Sequence, residues 1–364
     1  MWENKFCAGT PAERISDQIM NGTMKCVVKT KPEPGALELQ EKPIPQPAAN
    51  EILVKVRAAA ICGTDVHIRH WNDWTQKRMK PPVTIGHEFC GEVVELGADV
   101  KGVKVGDMIS AESHLPCNVC SDCRRGNRHV CQHTGLLGVT RDGCFAEYVA
   151  IPADIAYVAP AGISYKTLAI LEPFGQAVHA VMDYPVCGKN IAIVGCGPIG
   201  IMCVMVSKRM GAAKIIAVEP NAARGQLALE NGADVLVDPM AVDPVDAIMG
   251  LTGGVGVDIA IEMSGSVIAE EQATRYIRPE GKFVVAGLPS EPFSFNLSEF
   301  AYKGITLHGA AARLLYETWE QTDSLLKQGL RLDHIVTHEL PLERFSEGLD
   351  LMEQGRCGKC LLIP

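Results

Sequence analysis

Four cysteines fall within fifteen residues, as Cys117-x2-Cys120-x2-Cys123-x7-Cys131. Asn118, Asp122, Gly126 and Asn127 lie among them and favour tight turns around an ion. Four thiolates at this spacing suit a closed, tetrahedral structural zinc. An iron–sulfur cluster uses the same donors, and four packed cysteines is the plainest alternative. The stretch has little apolar periodicity, so hydrophobic burial alone would not fold it. A second set is dispersed: Cys62, His87 and Glu88 offer sulfur, nitrogen and oxygen. Singly, such residues are more often structural. Beside a nucleotide-binding unit they suggest a catalytic zinc with one open position. Glu172 places a carboxylate in the otherwise apolar run Leu168–Phe174, where the bland reading is a helix-surface charge.

That nucleotide-binding unit is read from Ile191 to Gly200, IAIVGCGPIG. The apolar run before Gly195 reads as a strand buried on both faces of a parallel sheet. In the following G-x-G-x-x-G, Gly195 permits the tight turn and Gly197 lets the backbone approach a pyrophosphate. Gly200 lets the helix pack closely on the strand. Pro198 opens that helix, Pro198–Met210, whose free N–H groups and positive dipole end would face the phosphates. A second strand, Lys214–Val218, runs into Glu219, an acid suited to the adenine-ribose hydroxyls of NAD.

The elements that must position these residues fall into two kinds. The first half reads as short strands with glycine- and proline-rich turns: Lys25–Lys29, Leu37–Gln40, Glu51–Ile61, Gly91–Leu96, Val105–Ser110 and Cys144–Ile151. Ser164 caps a helix running towards Tyr184, which Pro173 should kink or divide. From Asn190 strands alternate with helices, at Ile191–Val194, Ile215–Val218, Val235–Val237, Val257–Ile261 and Phe283–Ala286. The fold class is therefore α/β, a β-rich unit joined to a doubly wound parallel sheet. We expect residues 1–176 to form the first unit, 177–311 the nucleotide-binding unit, and 312–364 to return to the first.

Composition narrows the partners. A 364-residue chain with 47% hydrophobic and 21% charged residues is ordinary for a globular protein. A net charge of −9 argues against nucleic acid or an anionic membrane as main partner. No apolar run approaches the roughly 20 residues of a membrane span, and Met1–Met20 reads as a polar extension without a signal peptide. Fourteen cysteines then point to a reducing cytoplasm. Cys357-x2-Cys360, at the edge of a terminal strand without a second pair nearby, is not expected to bind metal. Cys7, Cys26, Cys90, Cys144, Cys187, Cys196 and Cys203 read as small packing residues.

With these residues assembled, the chain resembles the zinc-dependent medium-chain alcohol dehydrogenases from about Met24 to Leu362. Gly86-His87-Glu88, the four-cysteine lobe, Gly143–Tyr148 (GCFAEY) and Gly195–Gly200 carry the likeness. Ala60–Ile68 (AICGTDVHI), Trp71-x2-Trp74-x-Gln76, His114, Glu172–His179 (EPFGQAVH) and Glu317-Thr318-Trp319 resemble the L-threonine 3-dehydrogenase branch, though polyol dehydrogenases share several of them. The resemblance implies a GroES-like catalytic domain, a Rossmann domain and a cleft between them. It implies Cys62, His87 and Glu88 as catalytic-zinc ligands, with Glu172 either ligating or handling protons, and Thr64 and His67 as a proton relay. It implies His114 at the substrate, and NAD contacts from Ile199, Glu219, Arg224, Ala286, Gly287, Leu288, Ala310 and Ala311. A homotetramer is implied as well.

The expected reaction is oxidation of a secondary alcohol, L-threonine to 2-amino-3-oxobutanoate, with a zinc supplying Lewis acidity and NAD accepting hydride. The Thr64 hydroxyl would take the substrate proton and pass it towards His67. Against this, Thr64 could be a turn residue and His67 a surface histidine. One departure touches the substrate: Ala310-Ala311-Ala312 stands where the branch commonly has a bulkier tyrosine- and glycine-containing segment. A polyol or diol dehydrogenase is the nearer alternative, and a non-catalytic NAD-binding protein the remote one.

Overall fold

The computed structural model describes residues 22–289 and 291–364. The polar extension and Cys7 lie outside the described residues.

Two sheets carry the architecture. In the first, strands follow the order Ala156–Val158, Met108–Ala111, Glu88–Leu96, Glu51–Ala60, Lys359–Ile363 and Val336–Pro341, with Tyr148–Pro152 also paired to Glu51–Ala60. Glu51–Ala60 is central because Ile52, Leu53, Val54, Val56 and Ala58–Ala60 are all buried, so little of either face meets water. The last strand of the chain lies antiparallel to it, Leu361 opposite Ala60. The C-terminal segment thus completes a sheet begun some three hundred residues earlier, and Cys360 sits inside that sheet rather than at an edge. The Cys357/Cys360 pair falls at the start of this terminal strand, as expected. Both cysteines are buried.

The second sheet is wholly parallel, in the order Val235–Val237, Lys214–Val218, Asn190–Val194, Val257–Glu262, Ile277–Val285 and Thr306–Gly309. Numbered along the chain from Asn190, that is 3-2-1-4-5-6, the doubly wound dinucleotide-binding order. The order reverses beside Asn190–Val194, and the glycine turn leaves the sheet there. The helix that follows, Pro198–Arg209, is buried through most of its length, as its apolar sequence IGIMCVMV requires.

Between the sheets runs the helix Leu171–Met182, preceded by a short helix Tyr165–Ala169 capped by Ser164, whose Oγ accepts from Thr167 N at 3.2 Å. The break falls at Ile170, three residues before Pro173. The expected helix is thus divided, as Pro173 requires: its ring excludes a helical carbonyl four residues earlier, at Ala169, so the longer helix restarts with Pro173 in its first turn, where the missing N–H has no helical partner. Three expectations are corrected. Cys144 lies before the strand rather than in it, since pairing runs from Tyr148. The strand expected from Val105 begins at Met108, after a turn at Gly106 (φ +90°). Cys187 is exposed rather than packed.

Candidate active site

The strand Glu51–Ala60 ends two residues before Cys62, which caps the helix Gly63–His70. Asp65, in the first turn, accepts from the Cys62 backbone N–H at 2.9 Å and is itself fully buried. Its other oxygen, Oδ1, lies 3.9 Å from His87 Nδ1, and both atoms are buried without a hydrogen-bond partner. The separation is too long for a hydrogen bond, but it sets a carboxylate behind the imidazole, as metal-binding histidines are commonly backed. Gly86 makes the turn that delivers His87: its φ is +92°, and a Cβ there would come within 2.2 Å of the Phe145 ring. Only glycine fits that turn.

Donor atoms from Cys62, His87 and Glu88 all lie within 4.8 Å of one another. Sequence reasoning missed what holds Glu88. Lys359 Nζ reaches both its carboxylate oxygens, at 2.7 and 2.5 Å, with both side chains essentially unexposed. Burial pushes the Glu88 carboxyl well above the usual range, and the Lys359 ammonium opposes that shift. The sequence signal was a lysine opening the otherwise apolar strand KCLLI.

Glu172 is in the first turn of Leu171–Met182 and is not a free surface charge. Its Oε1 accepts from Ser113 Oγ at 2.6 Å, and Ser113 Oγ lies 3.0 Å from His114 Nδ1. The single Ser113 proton goes to the carboxylate, so the serine oxygen must accept from His114 Nδ1–H. That leaves the His114 lone pair on Nε2. Burial also lowers the His114 pKa, with Glu172 opposing, so the ring is neutral at neutral pH. Thr64 Oγ1 lies 3.8 Å from Cys62 Sγ. His67 is one turn further along the helix and exposed, and burial of part of its ring lowers its pKa.

A further group under this site was not anticipated. Arg313, 1% exposed, sends Nη1 to the carbonyls of Leu171 (3.1 Å) and Glu172 (3.3 Å) and Nε to Thr318 Oγ1 (3.0 Å). Its Nε is also 3.1 Å from the carboxylate of buried Glu112, and its guanidinium lies 3.7 Å from the centre of the Trp319 ring. A Cβ at Gly175 would come within 2.3 Å of that guanidinium. Arg313 therefore tethers the start of the helix that carries Glu172.

The four-cysteine lobe is assembled as a second donor cluster, its sulfurs within 4.8 Å of one another. The Cys120–Cys131 Sγ separation is 3.9 Å, close to the edge of about 3.8 Å of a tetrahedron with zinc–sulfur bonds near 2.3 Å. Backbone N–H groups of Cys117 and His133 point at Cys131 Sγ, and that of Cys120 at Cys117 Sγ, each at 3.3 Å. Such N–H donors suit thiolates, and the backbone N–H groups of Cys123 and Gln132 likewise lower the Cys120 thiol to about 6. Both donor sets fit zinc.

In the nucleotide-binding sheet Gly195 has φ +85°, and a Cβ there would meet Ser264 at 2.7 Å. A Cβ on Gly200 would lie 2.0 Å from the Gly195 carbonyl, whereas Gly197 has nothing within 4 Å. The first and last glycines are thus required by the protein itself, while the middle one leaves room for a bound group. Glu219 accepts from the backbone N–H of Cys196 (2.7 Å) and Asn221 (2.8 Å), fixing its carboxylate beside that turn. Ile199 follows at the start of the helix. The Arg224 guanidinium lies against Gly355, on the returning C-terminal segment. Ala286 and Gly287 close the strand Ile277–Val285, both backbone N–H groups donating to the Glu262 carbonyl at 3.0 Å. Leu288 is exposed, Ala310 is buried and Ala311 is exposed. Ala312 has φ +52°, a left-handed conformation that favours glycine.

Residues 48–161 match the alcohol dehydrogenase GroES-like domain and residues 198–328 the zinc-binding dehydrogenase domain. The chain belongs to the zinc-dependent alcohol dehydrogenase family. It is 44% identical to the L-threonine 3-dehydrogenase of Caldanaerobacter subterraneus, over 95% of this chain and all of that one. It is 41% identical to the enzyme of that name from Bacillus subtilis, over the same shares. Among solved structures, 2R,3R-butanediol dehydrogenase from Bacillus subtilis superposes with a TM-score of 0.84 at 29% identity, covering 94% of this chain and 99% of that one. Alcohol dehydrogenase TADH from Thermus sp. ATN1 superposes with 0.85 at 26%, covering 93% and 99%.

Proposed function

We propose that this enzyme oxidises the secondary hydroxyl of L-threonine to 2-amino-3-oxobutanoate, with NAD as acceptor. The relatives of that name, matched over nearly the whole chain, support the reaction class. The observation that carries the substrate is the bonded run His114–Ser113–Glu172. A neutral imidazole with its lone pair on Nε2 is an acceptor suited to an ammonium group, which threonine has and a simple alcohol lacks.

Cys62, His87 and Glu88, with Glu172 adjoining, would hold the catalytic zinc, and Cys117, Cys120, Cys123 and Cys131 the structural one. A bound zinc supplies Lewis acidity that lowers the pKa of the substrate hydroxyl, and NAD supplies the hydride acceptor. The chain's own residues do the rest. The Thr64 hydroxyl takes the proton at Oγ1 and His67, exposed one turn away, exchanges it with solvent. Asp65 orients His87, and Lys359 holds the buried Glu88 in place and opposes the loss of its charge. Gly195, Gly197 and Gly200 admit the pyrophosphate to the helix N-terminus opened by Pro198 and Ile199. Glu219 takes the ribose hydroxyls and repels a 2′-phosphate, so NAD is preferred over NADP. Ala286, Gly287, Leu288, Ala310 and Ala311 would contribute further contacts to NAD. Arg224, drawn towards Gly355, contributes to the adenosine end only from its margin.

Among the described residues no helix is long and apolar enough to cross a membrane. The described cysteines are free thiols, which supports a reducing cytoplasm. A homotetramer follows by analogy with the family. The short Ala310–Ala312 side chains favour a diol or polyol as the second reading.

Initial rates of NADH formation with L-threonine, sorbitol and butane-2,3-diol separate the two. L-threonine is expected to give the highest kcat/KM. His114→Ala should lower it roughly ten- to a hundredfold, the cost of one hydrogen bond to a charged group, with NAD affinity unchanged. Faster turnover of a diol, or unaltered threonine kinetics in the variant, overturns the assignment.

A further inference from the structure

A third cluster of metal-binding side chains lies away from both sulfur-containing sets. His179 and Asp183 come from the end of the helix Leu171–Met182, and His308 from the sheet-edge strand Thr306–Gly309. Their donor atoms lie within 4.8 Å of one another. His179 is 4% exposed, and its Nδ1 is 2.8 Å from the carbonyl oxygen of Ala312. A carbonyl can only accept, so Nδ1 carries the proton, and in a neutral ring the lone pair falls on Nε2. That lone pair stands 3.3 Å from Asp183 Oδ2. An acceptor against a carboxylate oxygen is repulsive unless something positive lies between them. His308 Nε2 approaches the same oxygen at 2.6 Å.

We infer that His179, Asp183 and His308 form a further divalent-cation site, with two imidazoles and one carboxylate as its protein ligands. The donor set is that of zinc and its neighbours among the borderline ions. Bonds near 2.0 Å in a tetrahedron set their ligand atoms about 3.3 Å apart, which is the His179–Asp183 separation. His308 would have to draw back by about 0.7 Å to reach that edge. It can do so because it is on an edge strand with its side chain about a third exposed. The Ala312 carbonyl on His179 Nδ1 is the orienting contact that metal-ligating histidines receive. Rings of His129 and Tyr184 stand edge-on to His179 and His308, at 5.8 and 5.6 Å, and wall the site. An ion there would tie the sheet edge to the helix end and, through Ala312, fix the loop that leads to Arg313. The inference does not depend on which alcohol the enzyme oxidises.

The test compares the zinc-loaded wild-type protein with His308→Gln and Asp183→Asn in a series of buffered free-zinc concentrations. Elemental analysis and thermal midpoints are measured for each. The wild type is expected to take up one more zinc equivalent than either variant, and to gain thermal stability with free zinc where they do not. Loss of a direct ligand should weaken that uptake on the order of a hundredfold, at least the effect of losing an outer-shell partner. Equal zinc contents in all three proteins overturn the site, as does extra zinc retained by both variants. A proton on His179 Nε2 would relieve the same repulsion without metal, so imidazole 15N shifts of the wild type give a readout independent of the variants. A zinc-induced change in the His179 and His308 signals is expected. A protonated His179 that does not respond to zinc refutes the inference.

Discussion

Replacing Arg313 by methionine should unsettle the active site from beneath. The guanidinium is buried, makes three hydrogen bonds to Leu171, Glu172 and Thr318, and neutralises Glu112. Removing one partner of a buried pair typically costs about 3–5 kcal/mol, because the other charge is left uncompensated. Glu112 limits that penalty. Burial has raised its pKa to about 7, against the opposing Arg313 charge, so it can take up a proton when the arginine goes. We therefore expect Arg313→Met to lose about 3 kcal/mol at pH 7, or roughly 4 °C in thermal midpoint for a chain of 364 residues. Glu112→Gln removes the charge but keeps an acceptor, and should cost less. In the double variant the two losses should fall short of their sum by about 1 kcal/mol or more. Urea unfolding of the four proteins gives the coupling. The sign of the pH dependence follows from the same residue. A carboxyl whose pKa is about 7 folded and near 4.5 unfolded stabilises the protein below pH 4.5, and that contribution is lost as pH rises through 7. Relative to Glu112→Gln, the wild type should lose roughly 3 kcal/mol across that window. A wild-type midpoint in Arg313→Met, strict additivity, or parallel pH profiles would each refute the reasoning.

Cys120→Ser should remove one zinc equivalent and lower solubility or thermal midpoint more than kcat, because the lobe has little apolar core; an unchanged zinc content would count against the four-sulfur site. Glu219→Ser should raise kcat/KM with NADP relative to NAD, and an unchanged ratio would exclude repulsion of the 2′-phosphate as the cause of the preference. Ala312→Gly should stabilise by about 0.5–1 kcal/mol, since φ is +52° there; destabilisation in urea would show that the alanine methyl packs better than it strains.

Local sequence determined the parts whose chemistry is local. The four-cysteine lobe is a short loop, so its donors are near one another in any compact conformation. The glycine turn is likewise written in consecutive residues, because a buried strand, a left-handed turn and a helix start demand Gly195 and Gly200 wherever they occur. Five strands of the parallel sheet were legible for the same reason, being apolar runs, whereas the sixth, Thr306–Gly309 (TLHG), is a half-exposed edge strand without that signal and was missed. Pro173 was legible too, because its effect on the backbone is local: the helix is divided at Ile170, within one turn of it. What only the tertiary structure decided are the pairings of buried charges. Glu88 and Lys359 are 271 positions apart, and Arg313 reaches carbonyls 142 and 141 positions before it. A lysine in an apolar strand or a glutamate after one signals a buried charge, but the sign and place of its partner depend on which elements the sheets bring together. The His179–Asp183–His308 cluster is of the same kind. Asp183 is one helical turn from His179, whereas His308 is 125 positions further on and meets them only because Thr306–Gly309 forms the edge of the parallel sheet. Contacts across such distances depend on strand order, and strand order is a property of the folded chain rather than of any stretch within it.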